Sequence, residues 1–178
     1  GYGLSQQVRK IGGEVLLVSG PTEQIPPSGV GVVWARSVEE LDDILTAELP
    51  DHDLILMVGS ASDWHPELNS KSFDREKTKK LDLDIPETPD LARKMGRLKE
   101  DDHILVEFRI EGNETRDETL ERLKENDING MFQFREVDEI TNKRKNVCSG
   151  SFLFESVDGK QVKAQNGSRF SREILREL

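Results

Sequence analysis

Short, mainly apolar runs separated by helical patterns constrain the fold of this chain more than any other feature. The runs occupy residues 15–18, 30–35, 54–58 and 104–110. A strand that is apolar at every position is typical of a parallel sheet covered on both faces, whereas a half-exposed strand alternates apolar and polar residues. We therefore predict four strands over these ranges, the first three of them buried on both faces.

The segments between the runs carry apolar residues at helical spacing, together with the usual start and stop signals of helices. Residues 12–13 are a glycine pair that ends the first helix. Ser37 and Glu40 form a capping box in front of the second helix. Thr88 is predicted as the N-cap of a third helix, with Pro89 in its first position.

This alternation of strands and helices predicts an α/β, Rossmann-like fold, in which a mainly parallel sheet carries helices on both faces. We expect a single domain over residues 1–178. The sequence opens in a glycine turn at Gly1 that enters a helix. An N-terminal strand and a glycine-rich motif are therefore expected to be missing in front of it.

The last third of the sequence follows a different pattern. Residues 116–126 are expected to form a charged amphipathic helix. An aspartate–glycine pair at 158–159 is typical of a tight turn between two strands, here at 147–156 and 160–165. This C-terminal β-hairpin lies in an extension over residues 138–165. Its edge strands could serve as a dimer arm or could pack on their own sheet.

The composition excludes several classes of protein. The 178 residues include 25 basic and 35 acidic ones, a formal net charge of −10, whereas proteins that bind duplex nucleic acid usually have a basic surplus. No apolar run approaches the roughly 20 residues of a membrane-spanning helix. Cys148 is the single cysteine, which excludes an internal disulfide and a zinc–thiolate cluster. We expect a cytoplasmic domain without nucleic-acid or membrane partners, with Trp34 in its core.

The loop over residues 59–80 carries the residues best suited to chemistry, because ligands of open parallel sheets bind outside the carboxyl ends of the strands. Small residues precede Asp63, which could accept a hydrogen bond from a ribose or a base, or could cap a turn. Five basic side chains then follow within ten residues, namely Lys71, Arg75, Lys77, Lys79 and Lys80. In an acidic chain this cluster suits phosphates or a carboxylate, and the alternative is a solvated loop.

Six segments, in order along the chain, resemble the phosphopantothenate–cysteine ligase family, the synthetase half of a bifunctional flavoprotein of coenzyme A biosynthesis. They are the strand that ends in Ser19-Gly20-Pro21, the turn Pro27-Ser28-Gly29-Val30, the small-residue loop Ser60-Ala61-Ser62-Asp63-Trp64-His65-Pro66, the lysine motif Glu76-Lys77-Thr78-Lys79-Lys80, the segment from Leu83 to Leu91 that contains Thr88-Pro89-Asp90, and the strand Leu105-Val106-Glu107-Phe108 followed by Glu111. The lysine motif followed by Thr-Pro-Asp is the specific part of the resemblance, which covers roughly residues 1–127.

The resemblance implies that the protein joins 4′-phosphopantothenate to cysteine. A nucleoside triphosphate, CTP or ATP, would first activate the carboxylate as an acyl-nucleotide and release pyrophosphate, and the cysteine amine would then attack. Lysines and Mg²⁺ would offset the charge crowding of a triphosphate, a phosphate monoester and a carboxylate. The resemblance also implies a homodimer and a flavin-containing decarboxylase domain, either fused to this domain or associated with it.

The resemblance assigns roles to individual residues, position by position. Lys77 matches the lysine near the reacting carboxylate and triphosphate, and it is the candidate catalytic residue. The expected nucleotide contacts are Ala61, Ser62, Asp63, Pro89, Asp90, Phe108 and Lys124, and the expected phosphate or substrate contacts are Gly1, Gly3, Lys79 and Lys80.

Some positions depart from the family pattern. Arg109 and Ile110 replace two small alanines, and Leu120 stands where a second lysine is expected. A non-catalytic or divergent relative that retains the nucleotide-binding fold is therefore one alternative. An NAD(P)-binding oxidoreductase is another, because it suits the sheet pattern, although Gln6 stands where the dinucleotide fingerprint needs a glycine.

Overall fold

The computed structural model describes residues 1–59, 87–110, 115–136 and 150–164. The elements are α1 (Tyr2–Lys10), β1 (Leu16–Ser19), β2 (Gly31–Trp34), α2 (Val38–Glu48), β3 (Leu54–Met57), α3 (Leu91–Leu98), β4 (Ile104–Ile110), α4 (Arg116–Glu125), β5 (Gly130–Glu136), β6 (Gly150–Ser156) and β7 (Gln161–Ala164). Within the described residues, one 3₁₀ turn over Leu49–Asp51 links α2 to β3. None of the described helices is long and apolar enough to cross a membrane.

The described strands form two sheets. β1 and β2 pair in parallel, and a five-stranded sheet has the order β3-β4-β5-β6-β7. In the larger sheet β3, β4 and β5 are parallel, whereas β6 and β7 are antiparallel to their neighbours. The predicted α/β, Rossmann-like class with a mainly parallel sheet and a C-terminal hairpin is confirmed. Within the described residues, however, β1 and β2 stand apart from the larger sheet, because β1 pairs only with β2 and β3 only with β4.

The predicted turn at residues 158–159 connects β6 to β7. The backbone N–H of Gly159 donates to the carbonyl oxygen of Ser156 at 2.9 Å. Gly159 has a φ of +85°, a conformation that glycine adopts without steric cost. The Ser156 hydroxyl donates to the Asp158 carboxylate, and this hydrogen bond lowers the pKa of Asp158 below its ordinary value. The hairpin therefore continues the main sheet, with β6 paired to β5.

The helix caps agree with the sequence in part. Ser37 caps α2, since its hydroxyl accepts a hydrogen bond from the backbone N–H of Glu40 at 3.1 Å. The predicted capping box is not completed, because the Glu40 carboxylate accepts from the backbone N–H of Arg36 at 2.7 Å rather than from that of Ser37. The prediction that Thr88 caps α3 is wrong. Asp90 is the N-cap, and its carboxylate accepts from the backbone N–H of Arg93 at 3.0 Å. Aspartate caps as well as threonine does, so the helix begins one residue after Asp90 rather than at Pro89.

The first three strands are less buried than their apolar sequences suggest. The residues of β1 and β3 are only partly buried, and both ends of β2 are exposed. The prediction that Trp34 lies in the core is also wrong, because 48% of its surface is exposed. Trp34 is the last residue of β2, which pairs on one side with β1 and forms no pairing on the other side within the described residues.

Two apolar clusters lie on opposite faces of β4. The first is formed with the helices, and its buried members are Leu49, Met95, Leu105, Leu123, Ile128 and Met131. The second lies on the other face, and its buried members are Val106, Phe132 and Phe154. The rings of Phe132 and Phe154 are 5.2 Å apart between centroids, at 45°, a tilted arrangement that aromatic pairs favour. Residues of even number on β4 therefore face the second cluster and residues of odd number face α3 and α4.

Strand β5 has no counterpart in the sequence-based prediction. Its sequence mixes apolar residues with the polar residues Gln133, Arg135 and Glu136. It nevertheless occupies the centre of the larger sheet, between β4 and β6. Gly130 at its start is tightly packed, since a Cβ there would lie 2.7 Å from the Phe154 ring.

Candidate functional site

The carboxyl ends of β3, β4 and β5 lie at one edge of the larger sheet, because these strands are parallel. On the face that α3 and α4 cover, the side chains become more polar towards this edge. The rows are, from the amino to the carboxyl end, Ile55 beside Leu105, then Met57 beside Glu107 and Met131, then Arg109 beside Gln133. Ligands of open α/β sheets bind at this edge.

Glu107 is a buried carboxylate in the middle of this face, with only 4% of its surface exposed. Its Oε1 lies 2.5 Å from Nη2 of Arg122 on α4 and 3.4 Å from Nε of Arg109 on its own strand. The geometry is that of an ion pair, because Oε1 makes no aligned hydrogen bond within the described residues. Arg122 Nη2 also donates to the sulfur of Met131 at 3.2 Å. Within the described residues, the cluster contains the carboxylate of Glu107 and the guanidinium groups of Arg109 and Arg122.

A second buried carboxylate lies on the same face, two strands away. Glu155 of β6 is 2% exposed, and its Oε1 accepts from Nε of Arg116 at 2.6 Å and from Nε2 of Gln161 at 2.9 Å. Arg116 Nη2 also donates to the carbonyl oxygen of Gly159 at 3.0 Å. Arg116 and Arg122 therefore attach α4 to the sheet through two ion pairs, and α4 in turn fixes Glu107.

The start of α4 carries a capping box. The Thr115 hydroxyl accepts from the backbone N–H of Glu118 at 3.3 Å, and the Glu118 carboxylate accepts from the backbone N–H of Thr115 at 2.7 Å. The Glu118 carboxylate accepts hydrogen bonds from the backbone N–H and from the hydroxyl of Thr115, and these lower its pKa below the ordinary value, the backbone bond having the larger effect. The helix that carries Arg116 and Arg122 is thereby fixed at its first turn.

The predicted phosphate contacts Gly1 and Gly3 lie at the start of α1. Gly1 is the N-cap and Gly3 falls in the first turn, and both are exposed. The hydroxyl groups of Tyr2 and Ser19 are 2.9 Å apart, which joins the first turn of α1 to the carboxyl end of β1. Both glycines therefore lie beside a strand end of the kind that binds ligands.

The predicted nucleotide contacts within the described residues belong to three separate parts of the fold. Phe108 lies near the carboxyl end of β4, packed against the second apolar cluster and opposite Phe132. Pro89 and Asp90 are exposed before α3, and the Asp90 carboxylate is engaged as its cap. Lys124 is exposed in the last turn of α4, which leads back towards the amino end of β5. Their contacts with a nucleotide stay predictions.

Six predicted site residues lie outside the described residues, namely Ala61, Ser62, Asp63, Lys77, Lys79 and Lys80. Among the described residues, no three histidine, cysteine or acidic side chains are grouped so that they could hold a metal ion. From the sequence, Arg109 was recognised as a departure from the family pattern, whereas Glu107 and Arg122 were not recognised as residues of the site. The available signal was the presence of a glutamate and an arginine inside the otherwise apolar run 104–110.

Comparison with known proteins settles the family. The sequence profile of the DNA/pantothenate metabolism flavoprotein C-terminal domain matches residues 1–178. The chain belongs to this family. Because the match covers the whole length of the chain, the resemblance found in the six sequence segments is confirmed.

Several relatives of the chain share one name. The chain is 28% identical over 120 residues to the coenzyme A biosynthesis bifunctional protein CoaBC of Vibrio vulnificus, a match over 64% of this chain and 29% of that protein. It is 22% identical over 181 residues to the protein of that name from Borreliella burgdorferi, over 100% of this chain and 45% of that protein. The chain thus spans less than half the length of these relatives.

A solved structure confirms the fold. The crystal structure of the C-terminal domain of coenzyme A biosynthesis bifunctional protein CoaBC aligns with 99% of this chain and 80% of that domain, with a TM-score of 0.75. The two sequences are 20% identical. The backbone arrangement of the family domain is therefore retained although most side chains differ.

Proposed function

We propose that this domain ligates 4′-phosphopantothenate to cysteine in coenzyme A biosynthesis, with CTP or ATP as the activating nucleotide. The observation that carries the proposal is the family match along all 178 residues. It is supported by relatives named for coenzyme A biosynthesis that align with the chain at up to its full length.

The proposed reaction has two group transfers. A carboxylate oxygen of the acid attacks the α-phosphorus of the nucleotide, the bond to the β-phosphate oxygen breaks, and pyrophosphate leaves. The amine of cysteine then attacks the acyl carbon, an amide forms, and the nucleoside monophosphate leaves with the bonding electron pair. Both steps bring anionic groups together, so cationic side chains that offset this charge in the transition state lower the barrier.

The residues proposed for this chemistry come from the sequence. Lys77 would lie against the reacting carboxylate and the triphosphate, and Lys79 and Lys80 would bind phosphate. Asp63, with Ala61 and Ser62 beside it, would contact the nucleoside. All of these follow β3, whose carboxyl end lies at the polar edge beside Glu107.

Magnesium would enter this site with its substrate. Mg²⁺ is usually bound by one or two carboxylates together with substrate phosphates, and it keeps several waters. We therefore propose the magnesium–nucleotide complex as the co-substrate.

The partners of the domain are part of the proposal. The curated relatives are named as bifunctional proteins, and this chain spans less than half of each. We propose that a flavin-containing decarboxylase domain is fused to it or associates with it in the cytoplasm. We also propose a homodimer in which the hairpin β6–β7 takes part, since β7 is the outer strand of the described sheet. A monomer by light scattering would exclude that arm.

One observation favours a second candidate, a divergent relative that binds nucleotide without this ligation. Arg109 and Ile110 replace small residues at the carboxyl end of β4, and Leu120 is a partly buried residue of α4 where a lysine is expected. A different acid substrate, or none, would follow if Arg109 occupies space that the substrate needs.

The test measures pyrophosphate release by the full-length protein with 4′-phosphopantothenate, cysteine and either CTP or ATP with Mg²⁺. We expect release that requires the acid and one of the two nucleotides. Lys77→Ala should lower turnover by at least about 100-fold, as removal of a transition-state contact does, with an unchanged melting temperature. Lys10→Ala is the matched control, because Lys10 is an exposed lysine at the end of α1. Wild-type-like turnover of Lys77→Ala would exclude the role of that lysine, and nucleotide binding without release would favour the divergent relative.

A further inference from the structure

We propose that the outer edge of β2 and the cleft beside Trp34 dock an extended segment of the same polypeptide from outside residues 1–178. The inference rests on the proposed function for one point, namely that this domain is part of a larger bifunctional protein. It concerns a surface to which the proposed ligation assigns no residue.

The backbone of β2 provides the first observation. The N–H groups of Gly31 and Ala35 donate to carbonyl oxygens in and beside β1 at 3.0 Å each, so both face β1. Because the backbone groups of a strand point alternately to its two sides, the N–H groups of Val32 and Trp34 face the other side. No described strand pairs with that side of β2. The strand therefore presents two backbone donors in the geometry that receives a further strand.

The sequence of β2 lacks the features that usually protect a free edge. Exposed edge strands commonly carry lysine, proline or a bulge, which prevent pairing with other segments. β2 is Gly-Val-Val-Trp, with neither a charged residue nor a proline. By contrast β7, the outer strand of the larger sheet, carries Lys163. The edge of β2 is therefore of the kind that a partner segment covers.

A cleft at the carboxyl end of this edge provides the second observation. It has a volume of about 420 Å³ and is lined by Trp34, Arg36, Glu40, Asp43 and Ile44. The surface of Trp34 is 48% exposed, and tryptophan and arginine are the residues that most often dominate the energy of protein interfaces. The indole and Ile44 suit an apolar side chain of the docked segment, and the two carboxylates suit a basic one.

The length of the relatives favours an occupant from the same polypeptide. The two curated relatives are named as bifunctional proteins, and this chain spans 29% and 45% of them. More than half of each of those polypeptides therefore lies outside the matched region. A segment joined by a short flexible linker has an effective concentration of about millimolar, so one strand edge and one cleft are sufficient to dock it. A separate protein would need a larger interface.

Hydroxyl-radical footprinting of the full-length protein, read by mass spectrometry at Trp34, tests the docking. Val32→Pro removes one outward N–H, a change that an edge strand tolerates where that group faces solvent. Val32→Ala is its matched control, because it shortens the side chain and keeps the N–H. Asp43→Lys reverses a charge of the cleft without altering β2, so it decides the question if Val32→Pro folds poorly. Asp102→Lys, in an exposed turn before β4, is the control for that charge reversal.

We expect Trp34 to be protected in wild type, in Val32→Ala and in Asp102→Lys. Docking that reduces the exposure of Trp34 from 48% to about a tenth, as at the centre of an interface, lowers its oxidation rate about fivefold. In Val32→Pro and in Asp43→Lys that protection should be lost. Equal oxidation rates of Trp34 in wild type and in these two variants overturn the proposal.

Photo-cross-linking identifies the occupant, with p-benzoylphenylalanine in place of Arg36 in the full-length protein. Cross-links to the same polypeptide outside residues 1–178 support the proposal. Cross-links to residues 1–178, or protection of Trp34 that depends on protein concentration, overturn it, and the latter would indicate a second copy of the chain.

The footprint and the ligase assay fail independently of each other. Pyrophosphate release by a protein whose Trp34 is not protected overturns the docking and leaves the ligase proposal standing. Protection of Trp34 by the same polypeptide without pyrophosphate release supports the docking and counts against the ligase.

Discussion

The attachment of α4 to the sheet makes an asymmetric prediction about stability. In the pair of Arg116 with Glu155, the arginine side chain is 55% exposed and the glutamate side chain 3% exposed. Removing the arginine leaves a buried charge without its main partner, whereas removing the glutamate charge leaves an arginine that water can solvate. We therefore expect Arg116→Ala to be clearly more destabilising than Glu155→Gln.

The magnitude follows from the burial of each partner. Breaking a fully buried ion pair costs about 3–5 kcal/mol. This cost is reduced here because Gln161 Nε2 still donates to Glu155 at 2.9 Å and because Arg116 is half exposed. We expect Arg116→Ala to lower the free energy of unfolding by about 2 kcal/mol, or roughly 4–8 °C in melting temperature for a domain of this size. Glu155→Gln should cost less than about 1 kcal/mol.

Urea unfolding followed by circular dichroism measures these values for both single variants, for the double variant and for Arg97→Ala as a surface control. The double-mutant cycle should give a coupling of at least about 1 kcal/mol between Arg116 and Glu155. The reasoning is refuted if the two single variants are equally destabilised. It is also refuted if the coupling lies within about 0.5 kcal/mol of zero, because the arginine would then act through packing alone.

Two further predictions concern the helices around this face. Gly96→Ala should lower the free energy of unfolding in urea by more than about 2 kcal/mol, because the new Cβ would lie 1.8 Å from the carbonyl oxygen of Asn126. Replacing an ordinary glycine inside a helix by alanine raises stability, so a gain in stability here would contradict the close approach. The pKa of Glu118 is lowered in the folded protein, so the hydrogen bonds of its carboxylate with Thr115 stabilise the fold fully above pH 4.5 and progressively less as the pH falls below that value. Glu118→Gln should remove this part of the acid dependence of the melting temperature. An unchanged dependence of the melting temperature on pH would exclude this contribution of Glu118.

Sequence reasoning succeeded where a local signal decides the structure. The run at 104–110 forms strand β4, and the Ser37 cap and the turn at 158–159 are present as predicted. These features depend on residues within a few positions of one another. Short-range patterns of hydrophobicity, capping and turn chemistry are sufficient for them.

Sequence reasoning failed where partners distant in the chain decide the structure. β5 is held in the sheet by its pairing with β4 and β6, and Trp34 is exposed at the end of β2, which pairs within the described residues only with β1. The contact of Glu107 with Arg122 joins a strand to the following helix, and no rule of residue spacing predicts such a contact. The N-cap of α3 depends on neighbouring residues only, but Thr88 and Asp90 are both favourable N-cap residues, so the sequence did not decide between them.

The buried charges on this face are linked through α4. Arg122 pairs with Glu107, whereas Arg116 pairs with Glu155 at the other end of the same helix. A change at Arg122 would therefore remove the closer partner of the buried Glu107 and one of the two ion pairs that attach α4 to the sheet. Arg109 Nε would remain 3.4 Å from Glu107 Oε1, so it would offset only part of the buried charge.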